Sequence, residues 1–163
     1  MDQIDQIIAQ WKNERPDLDT APMALIGRLQ RIAQHLSHGM AKTFEQNGLN
    51  GASFDVLATL RRAGKPYAMP PTDLMQSMMI TSGTMTNRID QLEKRQLVER
   101  LPNPQDGRGF LIKLTTKGYK LIDSAVSQHV DTQTMLVDGL DSEQRKQLNK
   151  LLTKFLASFE IKN

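Results

Sequence analysis

Residues 77–118 read SMMITSGTMTNRIDQLEKRQLVERLPNPQDGRGFLIKLTTKG, and this stretch decides the fold of the chain. Its first half places apolar side chains at Met85, Ile89 and Leu92, which is the spacing of one face of an α-helix. On a helical wheel that starts at Met85, Asn87 points to nearly the opposite side. We therefore predict an amphipathic helix that begins near residue 81, buries the Met85 side and presents small polar side chains outward.

A β-hairpin is predicted directly after this helix. Residues 97–101 and 110–114 are short runs of strand-forming residues, and the segment between them contains two prolines and two glycines. That composition predicts a turn, because proline and glycine do not continue a regular strand. Between residues 88 and 120 there are eight basic residues and four acidic ones. The helix and hairpin therefore carry a surplus of positive charge that suits a phosphate backbone.

Further amphipathic helices are predicted on both sides of this stretch. Upstream, the periodicity predicts helices over residues 1–13, from Asp19 or Thr20 to about 46, and over residues 53–63, then a brief strand at 67–69 and a short helix to Met78. Downstream, it predicts a helix from Thr115 or Thr116 to about Val137 and a last helix that opens with a capping box at Asp141. The short helix and the one after it form a helix-turn-helix pair.

The chain of 163 residues suits a single domain. Its terminal helices have more apolar surface than the small central part is expected to cover, so we predict a homodimer. In this interpretation residues 1–50 and 119–163 are mainly dimerisation helices, and residues 51–118 form the DNA-binding part. Two copies of the helix related by a two-fold axis would reach successive major grooves of a roughly palindromic double-stranded DNA site.

Composition narrows the class of protein. The net charge is +3 with a pI near 9.3, which permits a polyanionic partner. There is no cysteine, so disulfides and thiolate chemistry are excluded. No secretory signal and no apolar run of about 20 residues is recognisable, so we expect a soluble, cytoplasmic protein.

The hairpin carries a recognisable signature. Residues 106–108, DGR, followed by residues 114–118, LTTKG, resemble the D-x-R…L-T-x-x-G wing signature of MarR-family transcriptional regulators. The resemblance covers nearly the whole chain. It implies a mainly α (α+β) fold, a winged helix-turn-helix with a β-hairpin wing and N- and C-terminal dimerisation helices. It also implies that a ligand bound between the dimerisation and DNA-binding parts releases DNA.

Roles in DNA binding follow from this fold. Arg108 at the wing tip is placed to enter a minor groove, while Asp106 is expected to fix the turn or to orient that arginine. The helix that begins near residue 81 corresponds to the recognition helix of this fold, and its small polar residues suit the major groove, while Lys113 suits a phosphate. The alternative for each residue is ordinary polar surface. The predicted DNA-binding residues are Ser82, Thr84, Thr86, Asn87, Arg88, Asp106, Arg108 and Lys113.

A narrower resemblance concerns ligand binding. Trp11, Asp55, Arg62, Arg88 and Arg100 with their neighbours resemble the urate-responsive subgroup of the MarR family, whose members bind urate or related purines near these residues. Urate is a planar monoanion at neutral pH, so it suits an aromatic surface such as Trp11 and cationic donors such as Arg88. The alternatives are a core anchor for Trp11 and surface charge for the others.

Other functions fit the sequence less well. A MarR-type regulator that answers phenolic compounds or aromatic carboxylates is the alternative within the family. An enzyme is disfavoured because no nucleophile with a base and no phosphate loop is recognisable, and His35, His38 and His129 lack the spacing of a metal site. No catalytic residue, cofactor or metal is predicted. A structural adaptor that has lost DNA binding is disfavoured, because the chain retains Arg108 and an excess of basic over acidic residues between residues 88 and 120.

Overall fold

The computed structural model describes residues 1–78, 82–104, 106 and 109–160, with the side chains of residues 82–84 left out. Contacts divide the chain into two compact units, residues 1–42 and residues 43–163. Across the described residues, no helix is both long enough and apolar enough to cross a membrane.

The first unit contains α1 (Gln3–Glu14) and most of α2 (Ala21–Gln46). Asp2 and Asp5 form a capping box at the start of α1, each side chain accepting from the other's backbone N–H at 2.9 Å. Arg28 of α2 pairs with both carboxylates, which holds the start of α1 against α2. The predicted helices over residues 1–13 and from Asp19 or Thr20 to about 46 are both confirmed.

The second unit follows the predicted order of elements. It comprises α3 (Gly51–Arg62), β1 (Ala68–Met69), α4 (Pro71–Met78), α5 (Ser82–Lys94), β2 (Val98–Pro102), β3 (Phe110–Leu114), α6 (Thr116–Leu136) and α7 (Ser142–Glu160). The strands form an antiparallel sheet in the order β1-β3-β2, so the returning strand of the hairpin is central. The mainly helical fold with a β-hairpin is confirmed.

Two strands begin one residue later than predicted. Tyr67 precedes β1 with φ of 60° and Gln96 follows α5 with φ of 59°, both in the left-handed region. Because a left-handed residue leaves the extended path of a strand, β1 begins at Ala68 and excludes Tyr67. The register of β2 begins at Val98, two residues after Gln96. The hairpin register runs from Val98 opposite Leu114 to Pro102 opposite Phe110.

The core of the second unit is formed by α3, α5, α6 and the sheet. The three apolar residues predicted to face inward from α5, namely Met85, Ile89 and Leu92, are at most 2% exposed. They pack with a larger set of fully buried side chains: Leu57, Leu60, Leu74, Leu97, Ile112 and Ile122. Because this cluster buries one side of α5, it fixes which side of that helix faces solvent.

The LTTKG segment has a structural role at the start of α6. Thr115 is the N-cap of α6, accepting from the Gly118 N–H at 3.0 Å and donating to the Gln96 carbonyl at 2.7 Å. Gly118 lies against Leu97 so closely that an added Cβ would stand 1.9 Å from the Leu97 carbonyl oxygen. The threonine and the glycine of this signature thus join α6 to the connection between α5 and β2.

Candidate nucleic-acid and ligand interface

The outer face of α5 is polar and open. Thr86 and Asn87 are exposed, and the Asn87 Oδ1 accepts a hydrogen bond from Gln91 Nε2 at 3.2 Å. Amide and hydroxyl groups at such positions are able to read base edges in a major groove. The side chains of Ser82 and Thr84, which were predicted to contact DNA, lie outside the described residues.

The wing tip is a hydrogen-bonded turn. The Asn103 N–H donates to the Gly109 carbonyl at 3.0 Å, and the Asp106 N–H donates to the Asn103 carbonyl at 3.2 Å. The Asp106 carbonyl in turn accepts from the Gly109 N–H at 3.0 Å. The backbone of Asp106 thus takes part in the turn, while a role of its side chain in fixing the turn or orienting Arg108 stays a prediction. Arg108, predicted to enter the minor groove, lies outside the described residues.

The basic residues around the hairpin differ in their surroundings. Lys113 of β3 lies 3.7 Å from Glu99 of β2, its partner in the register, so part of its charge is already matched. Lys117 donates to the Arg95 carbonyl at 3.0 Å and reinforces the junction between α5 and α6. A phosphate contact by Lys113 stays a prediction, and such a contact would compete with Glu99.

Arg100 links the recognition helix to the wing. Its guanidinium, on β2, pairs with Asp90 and with Glu93, which lie one turn apart on α5. The same group stands 5.6 Å from the centre of the Phe110 ring on β3. We call this group the Arg100 clamp. Sequence reasoning treated Arg100 as a ligand residue and missed both carboxylates, although their spacing of three on a helix was visible.

Asp55 is the centre of a second charged group. Burial raises the pKa of this carboxyl, and the nearby Arg88, Arg62 and His129 oppose that increase electrostatically. Arg88 belongs to α5, so the recognition helix and α3 attract each other through this pair. The half-buried position of Arg88 agrees with this interaction.

A cavity of about 260 Å³ adjoins Asp55 between α3 and α4. Arg62 lines it and is held by a 2.6 Å hydrogen bond from its Nη2 to the Ser77 carbonyl. The remaining lining residues are mostly apolar: Phe54, Ala58, Thr59 and Met78. The structure therefore brings together three of the predicted ligand residues, namely Asp55, Arg62 and Arg88, while the described contacts of Arg100 are to the clamp.

His129 of α6 packs behind Asp55 in a ring cluster that the sequence did not reveal. Its imidazole lies 5.2 Å from the Phe44 ring and 4.8 Å from the Phe54 ring, centre to centre. Burial lowers the pKa of His129 despite the neighbouring Asp55 carboxylate. Its Nδ1 is buried and, in the described part of the chain, has no hydrogen-bond partner. A neutral imidazole suits this apolar setting, and no cluster of three metal-ligating side chains occurs among the described residues.

Trp11 lies on α1 in the first unit and is 42% exposed. Ile7 on the same helix is 41% exposed, so the apolar stripe of α1 is only partly covered. An indole that is half open presents a flat apolar surface to a partner, which suits either a ligand or a second chain.

Comparison with known proteins identifies the family. The sequence pattern of the MarR family matches residues 49–110. The chain is 38% identical to the HTH-type transcriptional regulator PecS from Dickeya dadantii over 150 residues, which is 92% of this chain and 90% of that protein. It is 34% identical to the multiple antibiotic resistance protein MarR from Escherichia coli K12 over 66% of this chain and 74% of that protein. The chain belongs to the MarR family.

A solved MarR structure has the same fold as this chain. A cysteine-to-serine mutant of E. coli MarR, crystallised with operator DNA, is 29% identical and superimposes with a TM-score of 0.71. The match covers 90% of this chain and 97% of that chain. MarR-family proteins are non-enzymatic DNA-binding transcription regulators, and this chain is one of them. The predicted fold, family and DNA-binding class are confirmed.

Proposed function

We propose that this MarR-family regulator is a repressor that a small anionic aromatic ligand, urate or a related purine, releases from DNA. The observation that carries the proposal is the position of Arg88. It belongs to the recognition helix, and it interacts electrostatically with Asp55 beside a cavity of about 260 Å³. A ligand that engages Arg88 therefore acts on the helix that reads DNA.

The proposed mechanism is a competition for the arginines. Asp55 attracts Arg88 and Arg62 in the absence of ligand. An anion that binds Arg62 and Arg88 weakens the attraction between Asp55 and α5, so the helix shifts from its DNA-binding position. A difference of 1–3 kcal/mol between the two states would change DNA affinity by about 5–150-fold. Trp11 of the first unit and Arg100 of β2 are proposed as further ligand residues on the basis of the family resemblance alone.

The alternative ligand class is a phenol or an aromatic carboxylate. Arg62 and Arg88 would bind a carboxylate as readily as urate, because both ligands offer oxygen acceptors to the guanidinium donors. The two classes differ in ring size and in donor groups. Urate offers ring N–H donors to the Asp55 carboxylate, whereas a simple carboxylate would be repelled by it. The presence of Asp55 thus favours the purine.

Urate titration tests the proposed ligand site, because Trp11 is the only tryptophan. We expect saturable quenching of its fluorescence by urate, corrected for ligand absorbance, and an affinity loss of about tenfold in Arg88→Ala, since a charge-assisted hydrogen bond is removed. Lys94→Ala, which removes an exposed charge from the same helix, serves as the matched control and should bind like wild type.

Salicylate in place of urate tests the alternative. A saturable response to salicylate and none to urate would show that the site binds aromatic carboxylates and not purines. No response to either ligand would remove the ligand part of the proposal and leave the DNA-binding assignment intact.

Dimerisation is proposed through the terminal helices, residues 1–50 and 119–163. Apolar side chains line one face of α7 and are exposed in the single chain: Leu148, Leu151, Leu152, Phe155, Leu156 and Phe159, each at least 40% exposed. A second copy of this chain is the proposed partner, since a dimer presents the two copies of residues 51–118 to a roughly palindromic operator.

Arg108→Ala is expected to weaken operator binding without unfolding the protein or changing its dimer mass. A minor-groove arginine gains from the negative potential there, so its loss should reduce affinity about tenfold or more and lower the slope of log affinity against log salt by about one. Gel shifts on the protein's own promoter and sedimentation equilibrium would measure both properties. Lys150→Ala, on the polar side of α7, is the control; equal affinities for the two variants would contradict the wing assignment.

A further inference from the structure

A second cavity lies at the base of the wing, away from the lining of the Asp55 cavity. It has a volume of about 300 Å³ and is formed by the connection between α3 and β1, the end of β3 and the start of α6. Its lining residues are Lys65, Tyr67, Leu114, Thr115, Thr116 and Tyr119. The chain contains two tyrosines in all, and both are in this cavity. We refer to it as the tyrosine pocket.

The two rings are held in place by Arg61. Their centres are 5.0 Å apart, and the Arg61 guanidinium stands 5.4 Å from the centre of Tyr67 and 4.8 Å from that of Tyr119. Asp123 lies 2.7 Å from the same guanidinium, so its charge is matched. Arg61 therefore supports the Tyr67 and Tyr119 rings, which together form an aromatic wall of the pocket. Because Asp123 matches the charge of Arg61, this arginine adds no net charge to the wall.

The polar side chains of the tyrosine pocket are hydroxyl groups and one ammonium group. The Tyr119 hydroxyl donates a side-chain hydrogen bond to Tyr67, which raises the pKa of Tyr119, and burial adds to the increase. Lys65 is exposed and has no ion pair in the part of the chain that the structure describes. The pocket thus combines one unmatched positive charge, two phenol rings and the buried Leu114 side chain.

The backbone around Tyr67 is fixed as well. Tyr67 is in the left-handed region, its N–H donates to the Gly64 carbonyl at 2.7 Å, and its carbonyl accepts from the Leu114 N–H at 3.0 Å. A left-handed conformation costs a bulky residue about 1–3 kcal/mol. Here it directs the ring of Tyr67 to that of Tyr119. The aromatic wall is therefore formed before any ligand arrives.

We propose that the tyrosine pocket is a second effector site, which binds a small planar aromatic carboxylate with its ring against Tyr67 and Tyr119 and its carboxylate at Lys65. Aromatic rings stack on other rings, and an ammonium group attracts a carboxylate, so the ligand class follows from the wall and the charge. The site is separate from the purine site proposed above. A ligand in the tyrosine pocket would contact both the segment before β1 and the start of α6, at the base of the hairpin.

Tyrosine-selective NMR tests this site, because both tyrosine signals report on it. We expect the ring resonances of full-length protein labelled with ¹³C-tyrosine to shift saturably with benzoate, and much less with benzamide, which has the same ring without the charge. Lys65→Gln should raise the benzoate Kd about three- to tenfold. Lys120→Gln, an exposed lysine next to Tyr119 that does not line the cavity, is the matched control.

Three outcomes would overturn the proposal: no saturable shift, equal responses to benzoate and benzamide, or equal benzoate affinities in the two lysine variants. The outcome is independent of the purine site, since urate binding is followed through Trp11. A Lys65→Gln variant that loses the benzoate response and retains urate quenching would establish two separate sites.

Discussion

Gly118→Ala is expected to lower the free energy of unfolding of the second unit by about 3 kcal/mol or more, with loss of operator binding. The added Cβ would stand 1.9 Å from the Leu97 carbonyl oxygen and 2.8 Å from its carbonyl carbon. Both are backbone atoms, and the hydrogen bonds that Thr115 makes on either side keep α6 from moving away. Overpacking usually costs 1–3 kcal/mol even where side chains are able to yield.

Helix propensity acts in the opposite direction and is too small to compensate. Alanine in the interior of a helix is about 1 kcal/mol more favourable than glycine. The steric cost therefore dominates at Gly118. With total stabilities of about 5–15 kcal/mol, a net loss of this size is a large fraction of the total.

Gly139→Ala provides the control, since no atom lies within 4 Å of the Cβ that it would gain. Urea denaturation followed by circular dichroism should show a lower midpoint for Gly118→Ala and a nearly unchanged one for Gly139→Ala. Equal midpoints would mean that α6 is able to move away from Leu97, and the close contact would not explain this glycine.

Arg100→Glu is expected to reduce operator affinity by about 100-fold while the protein stays folded. The substitution replaces the centre of the Arg100 clamp by a third carboxylate beside Asp90 and Glu93. Mutual repulsion would push α5 away from β2, and the wing and the recognition helix would lose their relative position. A shift of about 1 Å in a recognition element is large compared with the tolerance of hydrogen bonds to base edges.

The effect on stability should be smaller than the effect on binding. The Arg100 side chain is 29% exposed, and those of Asp90 and Glu93 are 46% and 38% exposed, so solvent screens the pairs and each contributes only about 1 kcal/mol or less. For Arg100→Glu we therefore expect gel shifts to show a large increase in Kd for the operator and thermal unfolding to show only a modest decrease in Tm.

Two further variants distinguish the clamp from a simple loss of charge. Lys150→Glu makes the same change in net charge on the polar side of α7 and should leave operator affinity within about twofold. Glu93→Arg combined with Arg100→Glu restores opposite charges across the clamp and should recover part of the affinity. If the double variant binds no better than Arg100→Glu alone, Arg100 acts on DNA by another route.

Local sequence patterns predicted most of the fold. The spacing of Met85, Ile89 and Leu92 predicted the buried side of α5, and the Asp141 capping box was found as predicted, with the Asp141 N–H donating to Gln144 Oε1 at 3.0 Å. These features depend on residues within one or two helical turns, so a single sequence contains them.

The contacts that shape the candidate sites were not visible in this way. Arg100 reaches carboxylates seven and ten residues back, Phe44 meets His129 across 85 positions, and Arg61 meets Asp123 across 62. Each contact depends on how whole elements pack, which periodicity does not specify. The family resemblance grouped Asp55, Arg62 and Arg88, which interact electrostatically in the structure, and their role in ligand binding stays a prediction. It gave no indication of the tyrosine pocket.

The central position of β3 in the sheet has an evolutionary consequence. Beyond the pair of Pro102 and Phe110, the wing tip lies past the last rung of the ladder, while Ile112 and Leu114 of the same strand are fully enclosed in the core. In evolution the tip is thus able to change in length or in its charged residues while the packing of the core stays the same. The strand that contributes Ile112 and Leu114 to the core therefore also leads into the hairpin tip, and the tip is able to change without disturbing the core.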